Sequence, residues 1–193
     1  MLKTLERRVI PAGELRIARA ADGPTKINGH AAKFDMLSED LGGFRERIAP
    51  GCFAKTIQSD DIRALWNHDA NIVMGRNKSG TLRLWEDSAG LAYEVDAPQN
   101  QFIRDMVLSP IERGDVSQCS FGFYTIMDKF TKIDGEWIRT LLEVELFDVS
   151  PVTFPAYNST DVAVRSLADA IKSFTPPDES WRIDHLRKRL DLG

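Results

Sequence analysis

One short segment, Asp115-Val-Ser-Gln-Cys-Ser-Phe-Gly-Phe123, constrains this chain more than any other. Its apolar residues recur at every second position, which is the repeat of a β-strand. As a strand, it places Phe121 and Phe123 on one face and Ser120 and Gly122 on the other. Gly122 has no side chain, so we expect the backbone beside Ser120 to be open to an approaching carbonyl group. Most serines on strands have no chemical role, so Ser120 alone does not indicate a catalytic site, and other residues must support that interpretation.

A histidine is the first such residue. His68 ends a short β-like run in which Ala64 and Trp66 share its face. An imidazole on an apolar face needs a hydrogen-bond partner when it is buried. That partner is either a nucleophile or a backbone carbonyl, and the sequence leaves both open.

An aspartate, Asp148, is the second residue that supports a chemical role for Ser120. Asp148 follows Val144 and Leu146 at alternate positions, which predicts one shared strand face. A carboxylate at the end of an apolar face needs a hydrogen-bond donor, and a histidine ring N–H is suitable. Together with Ser120 and His68 it supplies a nucleophile, a base and an acidic group. Their order along the chain differs from that of familiar triads, but triads are defined by geometry and role.

Several ordered segments, spread over roughly residues 5 to 166, carry a resemblance to a known family. These segments are Ile27–Phe34, Phe44–Phe53, Leu65–His68, Gly80–Leu84, Gly114–Phe123 and Val149–Tyr157. With them the chain resembles the caudovirus prohead protease family, the serine peptidases that mature the capsids of tailed phages.

The resemblance implies a fold and a set of roles. The fold is α+β and β-rich, a closed or partly closed β-barrel flanked by a few helices, as in the herpesvirus assemblins to which the family is related. His68 becomes the general base and Ser120 the nucleophile. The third position is commonly glutamate in the family and is Asp148 here. Assemblins use a second histidine instead, but His30 and His185 lie in segments that do not suit that role.

The resemblance also implies a function and partners. The chain is expected to be an endopeptidase that cleaves the scaffold region of the major capsid protein precursor, and also itself, inside the assembling prohead in the host cytoplasm. A second copy of the chain is a further implied partner. Two alternatives stay open: a catalytically inactive assembly module with the same fold, and a small-molecule esterase or amidase that uses the same triad.

Composition excludes several other classes. A net charge of −4 and a pI near 5.4 argue against a nucleic-acid partner, which favours a basic surface. No run of about 18 to 20 apolar residues is present and the N-terminus has no secretory apolar region, so we expect no membrane partner. Only three histidines and two cysteines occur, without metal-ligand spacing, so we expect no metal and no cofactor.

Cys119 is an alternative nucleophile, with His68 as its base. Strand alternation places Cys119 on the face of Phe121 and Phe123, which disfavours it. We expect both Cys52 and Cys119 to be small buried residues.

Turn signals predict the secondary structure. Short strands at 72–74, 81–85 and 91–95 are expected to form a meander, and Asp134-Gly135 to join the strands of Ser120 and Asp148. Helices are expected at about 51–59, 99–113 and 159–172, with the second kinked at Pro110. In that second helix Phe102, Ile103, Met106 and Val107 repeat at helical spacing, so we expect these four to pack in the core and not to form a binding site. For the oxyanion we expect Gly122 or the loop before Arg165 to supply N–H groups.

We expect the chain to divide into three parts: a catalytic domain over residues 1–172, a linker over 173–180 and a C-terminal tail over 181–193. The linker contains paired prolines, which cannot continue a helix. The tail has an apolar helical face and several basic residues, so we predict a basic amphipathic helix. It is either a docked or frayed terminal helix, or a segment that binds capsid protein or is removed by self-cleavage.

Overall fold

The computed structural model of the chain describes residues 4–10, 15–19, 23–154, 167, 168 and 171. The strands, in chain order, are β1 (Glu6–Ile10), β2 (Arg16–Ala18), β3 (Lys26–Lys33), β4 (Arg45–Ile48), β5 (Arg63–Trp66), β6 (Asp69–Arg76), β7 (Leu82–Glu86), β8 (Gly90–Asp96), β9 (Gln118–Ile133) and β10 (Glu136–Val152). The helical segments are α1 (Ala54–Ser59), a 3₁₀ turn (Asn77–Ser79), α2 (Gln101–Ile103), a π-helical turn (Arg104–Leu108) and α3 (Ser109–Glu112).

The strands form two sheets. The larger has the order β1-β9-β10-β5-β6, with β4 also paired to β10, and the smaller has the order β2-β3-β8-β7. The predicted β-rich fold with few helices is confirmed. The closed form of the predicted barrel is wrong for the described residues, where neither strand order closes on itself. Alternation and turn spacing predict that strands exist, but they do not determine whether the outermost strands meet.

Strands β4 and β5 run parallel to β10 and share one edge of it. Helix α1 and the turn that precedes it fill the gap between them, since the N–H of Val144 donates to the carbonyl of Cys52 in that turn (3.3 Å). The N–H of Leu146 donates to Oγ1 of Thr56 (2.8 Å). The helix predicted at 51–59 is therefore present, and it satisfies the backbone of β10 where no strand does.

Strands β9 and β10 form the long hairpin that the sequence predicts. Ile133 pairs with Glu136 across the two-residue turn Asp134-Gly135, whose φ angles are 50° and 88°. Two positive φ values are the requirement of the turn type that matches the twist of paired strands, and Asp-Gly meets it easily. Ser120 and Asp148 both lie at the end of this hairpin away from its turn.

The main core lies between the two sheets. The larger sheet contributes Phe121, Phe123, Val144, Leu146 and Val149, all buried. The smaller sheet contributes Ile27, Leu82, Leu91, Tyr93 and Val95. The segment over residues 101–112 adds Ile103, Val107, Leu108 and Ile111.

That helical segment departs from the prediction in one respect. Ile103 and Val107 are buried as expected, but Phe102 and Met106 are 53% and 48% exposed. The expectation that all four pack in the core is wrong, because one face of a surface helix cannot bury both pairs. The irregularity expected at Pro110 takes the form of a π-helical turn just before α3, in which Pro110 lies in the first turn.

The predicted meander is only half correct. Strands β7 and β8 pair as a hairpin, but β6 pairs with β5 in the other sheet. Between β6 and β7 the 3₁₀ turn and Gly80, with φ 74°, redirect the chain to the smaller sheet. The turn signal at Gly80 is real, but it marks a change of sheet and not a hairpin.

A buried ionic network joins β1, β4, β9 and β10. Arg8 donates to Glu46 (Nε to Oε1, 2.7 Å) and to Glu6 (Nη2 to Oε2, 2.7 Å). Arg139 donates to the same two carboxylates at 2.8 and 3.0 Å, and to Asp128 at 2.6 Å. Every charge in this network has a partner, which is the condition for burying it.

Among the described residues, no helix is long and apolar enough to span a membrane. The predicted third helix lies outside the described residues apart from positions 167, 168 and 171, which are helical. The linker at 173–180, the tail at 181–193 and His185 lie outside them as well. Those expectations stay predictions.

Candidate active site

Ser120 lies near the start of β9, between Val9 of β1 and Ser150 of β10. Phe121 and Phe123 belong to the buried core, and their rings stack at 5.0 Å. Ser120 is on the opposite face of β9, as alternation predicts. It is nevertheless fully buried.

A bulge in β10 determines the face on which Asp148 lies. Leu146 pairs with Phe123, but Asp148 pairs with Gly122, so Phe147 is an extra residue in β10. Since Phe123 and Gly122 lie on opposite faces of β9, Leu146 and Asp148 do too. The prediction that these two share a face is therefore wrong. A bulge inserts one residue into a ladder, and simple alternation does not anticipate it.

The bulge brings Asp148 to the face of β9 that carries Ser120. A β-carbon built on Gly122 would lie 2.5 Å from Oδ1 of Asp148. The space that the sequence analysis assigned to an approaching carbonyl is thus occupied by the Asp148 carboxylate. Gly122 is needed for a different reason, which is close approach of an acidic side chain.

His68 does not lie on a strand face, contrary to the prediction. Trp66 pairs with Asp69, which leaves Asn67 and His68 as a two-residue hairpin turn with φ 52° and 58°. Asparagine tolerates a positive φ, and histidine is also found there more often than most residues. The pair lacks the glycine of the usual hairpin signature, and Asn67 by itself is a weak turn signal.

Asn67 fastens this turn to the end of β10. Its N–H donates to the carbonyl of Pro151 (3.0 Å). Its side-chain Nδ2 donates to Oγ1 of Thr153 (3.0 Å), and the N–H of Thr153 donates back to Oδ1 (2.8 Å). The turn that carries His68 is therefore held by the strand that carries Asp148.

The structure brings the three predicted residues together. His68 Nδ1 lies 2.6 Å from Oδ2 of Asp148, and His68 Nε2 lies 2.7 Å from Oγ of Ser120. Because a carboxylate only accepts, Nδ1 carries the proton and Nε2 accepts the Ser120 hydroxyl. The side chains of His68 and Asp148 are 5% and 1% exposed. A hydroxyl bound to a base, with the base bound to a buried acid, can activate the hydroxyl as a nucleophile.

Sequence reasoning missed Ser150. Its Oγ donates to Oδ2 of Asp148 at 2.6 Å, and its side chain is fully buried. The signal was available, since Ser150 follows Asp148 by two residues and so shares its strand face.

Cys119 does not suit the role of nucleophile. It is buried on the core side of β9, and its Sγ lies 3.1 Å from the hydroxyl of Tyr93. Burial raises the pKa of the Cys119 thiol to about 11, so the reactive thiolate is scarce at neutral pH. Burial likewise raises the pKa of Cys52 to about 12. Both cysteines are buried and free, as predicted.

Among the described residues, no group of three or more His, Cys, Asp or Glu side chains could hold a metal ion. His30 pairs with Asp87 (2.9 Å), far along the chain from the candidate site. Gly122 pairs with Arg7 on one side and Asp148 on the other inside the sheet, where N–H groups are directed at neighbouring strands, so its N–H is a poor oxyanion donor. Arg165 lies outside the described residues.

The hydrogen-bond order of Ser120, His68 and Asp148 is that of a serine hydrolase. The chain belongs to the Caudovirus prohead serine protease family, whose sequence model matches residues 14–173. Among solved structures, the capsid assembly protease of bacteriophage T4 is similar to this chain, with 12% sequence identity and a TM-score of 0.49 over 78% of this chain and 98% of that one. No curated protein matches the sequence.

Proposed function

We propose that this chain is the maturation endopeptidase of a tailed-phage prohead, with Ser120 as nucleophile, His68 as general base and Asp148 as the acid that orients His68. Its substrate is the scaffold region of the major capsid protein precursor, and the chain itself is a second substrate. One observation supports the roles above all others: the unbroken contact from Ser120 Oγ through His68 to Asp148, at 2.7 and 2.6 Å. Family membership supports the biological setting.

The chemistry follows from this geometry. Ser120 Oγ attacks the peptide carbonyl carbon while its proton passes to His68 Nε2. Asp148 stabilises the imidazolium that forms. His68 then gives that proton to the leaving amine as the C–N bond breaks, which leaves an ester on Ser120. Water attacks the ester with His68 again as base, and this step releases the new carboxyl end and the free hydroxyl.

The burial of Ser120 adds a condition. Because Ser120 is fully buried, a peptide bond reaches its hydroxyl only when the site opens. Once the substrate has excluded water, the charges of His68 and Asp148 interact more strongly than they would in solvent. The proposed nucleophile is therefore inaccessible to solvent until binding or a change of conformation uncovers it.

The first test is co-expression with the capsid precursor encoded beside this chain, followed by intact mass spectrometry. The wild type is compared with Ser120→Ala and with Ser117→Ala, an exposed serine three positions earlier. We expect defined precursor fragments with the wild type and with Ser117→Ala, and none with Ser120→Ala. Identical intact masses in all three would reject the protease and favour the assembly module. Hydrolysis of small esters without precursor cleavage would favour an esterase.

Self-cleavage is tested separately on the purified chain. Its intact mass is followed over time, alone and mixed with the Ser120→Ala variant as a substrate that cannot cut itself. We expect new termini in both chains of the mixture. A mass that never changes would restrict the enzyme to capsid protein.

A further inference from the structure

The Asp148 carboxylate has two partners on one oxygen. Oδ2 accepts from His68 Nδ1 and from Ser150 Oγ, each at 2.6 Å. Oδ1 faces the backbone of Gly122, where no side chain intervenes. The orientation of the carboxylate is therefore set by one hydrogen bond from the turn and one from its own strand.

The bond from the strand matters because of where Asp148 lies. It directly follows the bulge at Phe147, where the ladder is irregular and the strand twists more than usual. Backbone pairing alone fixes side-chain direction poorly at such a point. Ser150, two residues on, is back in regular register opposite Ser120. The hydrogen bond from the Ser150 hydroxyl therefore holds the Asp148 carboxylate from a position where the strand is regular.

We propose that Ser150 is a positioning residue: its buried hydroxyl keeps Oδ2 of Asp148 directed at Nδ1 of His68. Ser150 acts through Asp148, and it donates its hydroxyl hydrogen to Asp148 and not to a substrate. The inference rests on the proposed function in so far as it concerns turnover, because orientation of His68 matters for rate only if His68 is the base. The geometric part is independent of any reaction.

The test compares Ser150→Ala with Ser150→Thr, which retains a hydroxyl, and with Ser117→Ala as the matched control. One measurement is kcat and KM on a peptide that spans a cleavage site mapped in the wild-type digest. The other is the downfield proton NMR resonance of His68 Nδ1–H, assigned by its absence in His68→Gln. The chain has only three histidines, which keeps this assignment simple. Circular dichroism establishes that each variant is folded.

For Ser150→Ala we expect kcat to fall by up to about 100-fold with little change in KM, as for a misplaced catalytic group. We expect the resonance to move upfield or to disappear, because a freer carboxylate holds the proton less strongly. We expect Ser150→Thr to retain the wild-type kcat and the wild-type position of the resonance, and Ser117→Ala to change neither kcat nor the resonance. An unchanged resonance in folded Ser150→Ala would overturn the proposal, and so would a loss of kcat that Ser150→Thr does not restore. If the wild type cleaves nothing while the resonance still responds to Ser150→Ala, the proposed function fails and the positioning role stands.

Discussion

Gly122 and Asp148 face each other across the β9–β10 ladder so closely that a β-carbon on Gly122 would lie 2.5 Å from the Asp148 Oδ1 atom. Atoms at that separation repel, so an alanine at position 122 must displace the carboxylate or spread the strands. We therefore expect Gly122→Ala to lower kcat by about 100-fold through loss of the His68 contact. The rate is measured on a peptide substrate of the wild type.

The origin of that effect is tested by a double-mutant cycle in thermal unfolding. Overpacking at such a contact costs about 1 to 3 kcal/mol. In an Asp148→Ala background the carboxylate is absent, and we expect Gly122→Ala to destabilise the protein much less. An equal loss of stability in both backgrounds would contradict the contact as the cause.

Asp148 itself is tested by two substitutions. Asp148→Asn preserves size but replaces an acceptor with an amide, which removes the charge that stabilises the His68 imidazolium. We expect kcat to fall by about 10,000-fold, as happens when the acid of a triad is replaced by its amide. Asp148→Glu retains the charge on a longer side chain and should retain more activity than Asp148→Asn. A lower rate for the glutamate variant would mean that position matters more than charge here.

The two hydrogen bonds between Asn67 and Thr153 are expected to affect kcat as well as the stability of the protein. Asn67→Gly tolerates the positive φ of 52° and retains the N–H bond to Pro151, but it loses both side-chain hydrogen bonds. We expect a loss of about 0.5 to 1.5 kcal/mol for each bond, and a kcat reduced by roughly 10- to 100-fold through movement of His68.

Asn67→Ala separates the backbone from the side chain. It loses the same two bonds and must also hold a left-handed conformation, which costs about 1 to 2 kcal/mol more. We expect its melting temperature to lie below that of Asn67→Gly. Equal melting temperatures would argue that the turn relaxes in the variants.

The buried network predicts a dependence of stability on pH. Burial alone would raise the pKa of Glu6, but hydrogen bonding and charge from Arg139, with the charge of Arg8, hold that pKa below its ordinary value of 4.5. A carboxyl with a lowered pKa in the folded state stabilises the protein above the unfolded-state value. That stabilisation is lost as the pH falls through the folded-state pKa.

Glu6→Gln tests this dependence. At neutral pH we expect the variant to be less stable, because Arg8 and Arg139 lose a buried partner. Below about pH 4.5 the wild type should lose stability faster, so the difference between the two denaturation midpoints should narrow. A constant difference between pH 7 and pH 3 would show that Glu6 does not titrate with unfolding.

The sequence determined the local features of this protein. Alternation around Ser120 separated it from Phe121 and Phe123, and the Asp134-Gly135 pair identified the hairpin turn. Both depend on interactions between residues that are neighbours in the chain, so both can be read without a structure. The ordered family segments added the candidate nucleophile, base and acid.

Only the tertiary structure decided how those residues meet. The bulge at Phe147 moves Asp148 to the other face of β10, and the turn at Asn67 brings His68 back over the sheet. The tertiary structure also decided that the described strands form two open sheets and not a closed barrel. A bulge, a turn conformation and a sheet edge each depend on which strand lies alongside and in which register. That pairing joins residues far apart in sequence, and its free energy comes from packing and hydrogen bonds that no local pattern contains.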